Sequence, residues 1–207
     1  VNGEFYHIFN RGAYKQSVFF KNFDFERFLQ SMNEFNTVRP IGSIYANSFL
    51  DENIKLRRRT TKLVNLVCYC LNPNHFHLIL QQVVKNGISE FMKRLGGYTR
   101  YINERYKRSG VLFQGKFKSK HINSNEYLLH LSAYVNLNNR VHEIVEHQFR
   151  SSWREYIQDL NSKTCKKDII LKQFKNKKEY QEFAESSLKD IIERKRLFKE
   201  LEKFLFE

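Results

Sequence analysis

The chain has 207 residues, enough for one domain of ordinary size plus an appendage. Its 36 Lys and Arg against 22 Asp and Glu leave a net charge of +14, an excess that favours a polyanionic partner. No apolar run approaches the roughly 18 residues of a membrane span, and the start lacks the charged-then-apolar order of a signal peptide, so nucleic acid is expected over membrane and the cytoplasm as compartment. Cys68, Cys70 and Cys165 are too few for a disulfide framework, which fits the same compartment.

Residues 5–10 (FYHIFN) alternate as a first strand, closed by Arg11-Gly12, with His7 a partly buried strand histidine. Residues 23–35 carry Phe25, Phe28, Leu29, Met32 and Phe35 at helical spacing, with Asn22 as the expected cap. Pro40 to Gly42 breaks that helix. Residues 43–50 (SIYANSFL) read as a second strand, and 51–61, with Arg57, Arg58 and Arg59 in a row, as a solvated hairpin tip or turn.

Two apolar runs follow, 63–71 and 75–83, joined by Asn72-Pro73-Asn74 into a central hairpin covered on both faces. In a strand side chains alternate, so His75 and His77 point one way while Phe76, Leu78 and Leu80 point the other. Two imidazoles side by side suit a metal ion, with a third ligand from elsewhere in the chain. Cys68 and Cys70 could join them in a zinc site, but inside the run LVNLVCYCL they read better as small hydrophobes.

Residues 86–105 form an amphipathic helix on Ile88, Phe91, Met92, Leu95, Tyr98 and Ile102, whose other face presents Lys93, Arg94, Arg100 and Arg105 to nucleic acid. Gly96 and Gly97 inside it each cost about 1 kcal/mol relative to alanine, which implies a close backbone approach. In the extended stretch 111–122 (VLFQGKFKSKHI), Lys116, Lys118 and Lys120 would stand roughly 6–7 Å apart along one edge, a strip for tracking phosphates. Asn123 with Glu126 resembles a capping box opening a helix over 124–138. On it Tyr127, Leu131, Tyr134 and Asn138 share one stripe. Residues 157–207 read as a Lys-rich stretch (Lys163, Lys166, Lys167) leading to a helical extension with Leu188, Ile191, Ile192, Leu197, Leu201, Phe204 and Phe206 at helical spacing.

Taken as a set, YHIFNRG, CYCLNPNHFHLIL, RLGGYTRYINERYKRSGVLFQGKFKSKHI and YLLHLSAYVNLN resemble the HUH single-tyrosine transposases, most closely the REP-associated tyrosine transposases. The resemblance spans about the first 155 residues. It implies an α+β, ferredoxin-like antiparallel sheet packed with helices, residues 1–156 as the transposase domain and 157–207 as an extension outside it. It further implies His75 and His77 as ligands of Mg2+ or Mn2+, Tyr134 as the nucleophile and Asn138 as an amide completing the metal shell. From the residues alone Tyr101 and Tyr106 serve as well as Tyr134. The implied activity is cleavage and rejoining of single-stranded, hairpin-bearing DNA through a 5′-phosphotyrosine link, and a homodimer is allowed. Where such proteins usually read Asn-Pro after the tyrosine helix, this chain has Asn138-Asn139. The competing readings are a non-catalytic hairpin-binding protein on the same fold and a single-stranded RNA-binding module, which would need no metal.

Overall fold

The structure, a computed structural model, describes residues 1–58, 61–158 and 164–205. Of the expected features, Arg59, Lys163 and Phe206 lie outside the described residues. In chain order the elements are β1 (Phe5–Arg11), α1 (Asn22–Glu34), α2 (Ile44–Ser48), α3 (Glu52–Arg58), β2 (Val64–Asn72), β3 (His75–Gln82), α4 (Gly87–Leu95) and α5 (Gly97–Arg105). Then come β4 (Lys118–Ile122), α6 (Asn125–Asn136), α7 (Asn138–Val141), β5 (Arg150–Ser151), α8 (Trp153–Ile157), α9 (Asp168–Leu171) and α10 (Lys177–Leu205).

The strands pair in the order β4-β1-β3-β2-β5, every pair antiparallel. With helices between β1 and β2 and between β3 and β4, the first four strands make the ferredoxin-like βαββαβ unit, so the expected fold class is the one observed. One face of the sheet buries Ile8, Tyr69, Leu71, Phe76, Leu78 and Leu80 under α1, α4 and α5. The other buries Val67, Cys68, Cys70 and Ile79 under α6, α7, α8 and α10. A bulge between Leu66 and Cys68 adds one residue to β2, which puts Val67 and Cys68 on the same face.

Several local expectations are corrected. Residues 43–50 hold α2 instead of a strand: the Ser43 hydroxyl accepts from the Ala46 amide at 3.0 Å, and Ile44 and Asn47, three apart, turn inward. The presumed hairpin tip is largely α3, whose start is held by the Asp51 carboxylate accepting from the Asn53 amide at 2.8 Å. Lys21, not Asn22, sits at the head of α1, where the Asp24 carboxylate accepts from the Phe20 and Lys21 amides, each at 2.9 Å.

The long helix over 86–105 is split at Gly96 into α4 and α5. Close approach is tightest at Gly87, more than two turns before the expected pair, where a Cβ would stand 2.2 Å from the Leu63 carbonyl oxygen; at Gly96 it would stand 3.0 Å from the Lys93 carbonyl oxygen, and at Gly97 it would meet nothing within 4 Å. Ser124, not Asn123, caps α6 by accepting from the Tyr127 amide at 3.1 Å. That helix ends at Leu137, so Asn138 opens α7 instead of closing one continuous helix.

Helix α10 lies on α6. Tyr180 is fully buried, and its hydroxyl accepts from Asn136 Nδ2 at 2.9 Å and pairs with Ser132 Oγ at 3.1 Å. Asn136 Oδ1 in turn accepts from Ser152 Oγ, which receives the Tyr69 amide of β2 at 2.9 Å. This chain of buried hydrogen bonds ties α6 to the sheet on one side and to α10 on the other. Among the described residues no helix is long and apolar enough to cross a membrane.

Candidate active site

Strand alternation delivers what the His-x-His spacing requires. Across the ladders His75 faces Asn72 and Arg11, and His77 faces Cys70 and Phe9. The histidine rings are nearly perpendicular with centroids 5.3 Å apart.

Each ring has a partner at Nδ1, and for His75 that partner fixes the tautomer. His75 Nδ1 lies 2.6 Å from Asn74 Oδ1, an oxygen that can only accept, so Nδ1 carries the proton and Nε2 a lone pair. Asn72 Nδ2 donates to that Nε2 at 2.9 Å and to Asn138 Oδ1 at 2.7 Å. Nε2 and Asn138 Oδ1 are 3.0 Å apart, two lone-pair atoms facing each other. On the second histidine, Nδ1 is 2.9 Å from His7 Nε2; when His77 Nδ1 is the donor of this pair, its Nε2 carries a lone pair.

Burial depresses the imidazoles. His77 is pushed well below the ordinary histidine value by burial first, then by its neighbours His7, His75 and His142. For His75 burial also lowers the pKa, opposed by the Asn138 oxygen, which would accept from a protonated Nε2. His7 falls to about 4 through burial and the charge of Lys120. All are neutral at pH 7, the state a metal ligand needs.

The residues fit a divalent cation. Two ligands at right angles on an ion at about 2.1 Å would themselves be about 3 Å apart, the separation of His75 Nε2 and Asn138 Oδ1. The Asn138 amide keeps its oxygen on His75 although its own Nδ2 is buried with no hydrogen-bond partner among the described residues. The cysteines take no part: Cys70 is raised to about 12 by burial and Cys68 is raised well above the ordinary thiol value, so both stay thiols in the second core. Among the described residues no group of three His, Cys, Asp or Glu is arranged around one point, so a cation here would rest on imidazole and amide donors.

Tyr134 stands on α6 with its ring edge-on to His77 at 5.5 Å and to His7 at 6.5 Å. Burial raises its pKa, so the phenol is protonated at rest; the Asn138 amide pulls the other way without forming a regular hydrogen bond. Tyr106, one of the alternatives from sequence, donates to Asp24 at 2.8 Å, and Tyr101 packs with the first core; both lie away from the histidines. In front of the histidines a cleft of about 800 Å³ is lined by Arg11, Lys15, Lys118 and His142.

The basic residues divide. Lys118 and Lys120 lie on β4 opposite Phe9 and His7, Lys118 in the cleft and Lys120 5.2 Å from the Tyr127 ring. Lys116 precedes the strand, so the three lysines do not form one edge. Lys93, Arg94, Arg100 and Arg105 sit on the helices of the opposite face. There Arg94 is held inside by the Phe35 and Thr37 carbonyls at 3.1 and 2.6 Å, Arg100 pairs with Glu104, and Arg105 stacks 3.7 Å over Phe23.

Sequence reasoning missed His7, Asn72, Asn74 and His142, whose ring lies 4.7 Å from that of His75. The two asparagines read as turn formers; their place beside the His-x-His pair was the available signal. His7 needed the β1–β3 register, and His142 the turn after α7.

The fold and site together define an α+β protein of ferredoxin-like topology whose antiparallel sheet carries paired histidines beside a tyrosine-bearing helix. Residues 48–138 match the model of the family described as Transposase IS200 like. The match contains His75, His77, Tyr134 and Asn138 and stops short of the extension. No curated protein matches the chain. A solved structure of a REP-associated tyrosine transposase bound to a REP hairpin is similar at 11% identity and a TM-score of 0.43, over 70% of this chain and 72% of that one.

Proposed function

We propose that the chain is a divalent-metal-dependent strand transferase that cuts and rejoins single-stranded DNA at hairpin-forming repeat ends. The observation that carries this reading is the convergence of Tyr134 and the Asn138 amide, from two successive helices, on the imidazoles of β3. Residues 1–156 form the catalytic unit in this reading, and the extension braces the helix that bears Tyr134.

His75 Nε2, His77 and Asn138 Oδ1 would hold the ion, Mn2+ serving at least as well as Mg2+ given imidazole donors. Bound there, it supplies positive charge to a non-bridging phosphate oxygen. Asn74 keeps His75 in the ligating tautomer, and His7 orients the His77 ring, which ligates when its Nδ1 donates to His7. Arg11, Lys15 and Lys118 hold the DNA backbone along the cleft.

Tyr134 Oη attacks phosphorus in line: an O–P bond forms to the tyrosine, the P–O3′ bond breaks, and the phenolic proton is lost while the leaving oxygen gains one and becomes a 3′-hydroxyl. The 5′-phosphotyrosine conserves the bond for attack by another 3′-hydroxyl, so rejoining needs no ATP. A denaturing gel tests this with single-stranded oligonucleotides from both flanks of the gene, in Mn2+ or EDTA. The expected result is a Mn2+-dependent covalent protein–DNA band that Tyr134→Phe lacks. Hairpin binding without any such band would establish a non-catalytic binder instead.

A further inference from the structure

On the face of the sheet away from the histidines, α4, α5 and the segment leading into β4 enclose a second cavity of about 480 Å³. Its floor is Phe76, the residue between the two histidines, and Phe28, Met92, Leu95, Phe113 and Phe117 wall it. Phe76 meets Phe113 edge-on at 5.7 Å and Phe28 at 5.4 Å, while Phe113 and Phe117 remain partly open to solvent. The bare backbone of Gly96, at the break between α4 and α5, forms part of the wall. Lys93 and Lys116 stand exposed at the mouth, and among the described residues neither has a carboxylate partner.

This cavity and the histidine cleft share a wall. Asn10 borders both, paired with Phe76 across the ladder between the Phe9–His77 and Arg11–His75 pairs. The segment leading into β4 is shared between them: Gln114, with Lys118 at the start of the strand, borders the cleft, and Phe113, Lys116 and Phe117 border the cavity. Its turn depends on Gly115, at φ +74°, whose carbonyl accepts from Asn10 Nδ2 at 3.2 Å. Because β4 is an edge strand, this segment is the outer rim of the sheet. A flexible polymer reaches both faces by crossing it.

We propose that the aromatic cavity receives one unstacked nucleobase from a nucleotide next to the phosphate held at the histidine cleft. The proposal rests on the single-stranded DNA reading above and deepens it. Aromatic walls engage the π-face of a base, which every base has, and two unpaired ammonium groups at the mouth suit the phosphate that accompanies it. An uncharged apolar ligand would make no use of those lysines.

The test scans the same flank oligonucleotides with 2-aminopurine and with single abasic positions. Binding is read in EDTA, so that it is independent of cleavage. The expected result is one position at which 2-aminopurine fluorescence changes on binding and base removal weakens affinity by about 5- to 150-fold, the range for one base–aromatic stack. Ser89→Trp, an exposed substitution that fills the mouth, should abolish the difference between intact and abasic oligonucleotides, and Phe113→Ala should reduce it. Normal binding with no base-sensitive position, or a difference unchanged in both variants, overturns the proposal. Mn2+-dependent cleavage without a base-sensitive position rejects the cavity and keeps the enzyme. Base-sensitive binding without cleavage does the reverse, and absence of any oligonucleotide binding rejects both.

Discussion

His75 Nε2 and Asn138 Oδ1 face each other across 3.0 Å, both receiving a hydrogen bond from the one amide group of Asn72. Two acceptors this close are held together only by a donor or cation between them. Asn138→Ala should therefore abolish Mn2+-dependent cleavage while leaving hairpin affinity within about 3-fold, since phosphate contacts dominate binding. Asn72→Ala should weaken Mn2+ dependence about 10- to 100-fold, as loss of an outer-shell partner does. Cleavage titrated against Mn2+, beside a gel-shift titration, separates the two effects.

His7 stands behind His77 rather than in front of the substrate. His7→Phe keeps the ring volume and removes the hydrogen bond, so its expected signature is a higher Mn2+ requirement at unchanged DNA affinity. A variant as active as wild type at limiting Mn2+ would remove His7 from the site.

Stability should depend on pH through the same residue. His7 binds its proton near pH 4 when folded and near the ordinary histidine value of about 6.5 when unfolded, so between those pH values the unfolded chain holds more protons. Its contribution is complete above pH 6.5 and is lost as pH falls toward 4, by up to roughly 3 kcal/mol for a group this buried. Thermal melts in EDTA across that window should show the decline, and His7→Phe should flatten part of it.

Tyr180→Phe removes a hydroxyl that satisfies Asn136 and Ser132 in the interior of the α6–α10 contact. The loss should cost about 1–3 kcal/mol, the penalty of an unpaired buried donor. If α10 also holds Tyr134 on its target, cleavage should slow more than DNA binding weakens, which single-turnover kinetics at saturating protein would show.

Two glycines separate packing from propensity. Gly87→Ala drives a methyl into the Leu63 carbonyl and should destabilise by about 1–3 kcal/mol, whereas Gly97→Ala enters open space and should stabilise α5 by about 0.5–1 kcal/mol. Urea melts of both variants check the contrast.

The pairing of His75 with His77, the turn at Asn72 to Asn74 and the central hairpin were legible because strand alternation and turn chemistry act within a few residues. Residues 43–50 misled for a related reason: SIYANSFL carries strand-forming side chains, but a capping serine and the inward turn of Ile44 and Asn47 make it helical. The resemblance named Tyr134, which spacing alone left level with Tyr101 and Tyr106.

By itself, then, the sequence determined the basic character of the chain, the local elements near the histidines and the residue types of the site. The tertiary structure decided that His7 props His77, that Asn138 reaches His75 from a separate helix, that Lys116 parts company with Lys118, and that an aromatic cavity backs the cleft. Those relationships depend on register and on which helix covers which face. They are set by side chains distant in sequence that share buried area only once the sheet has formed.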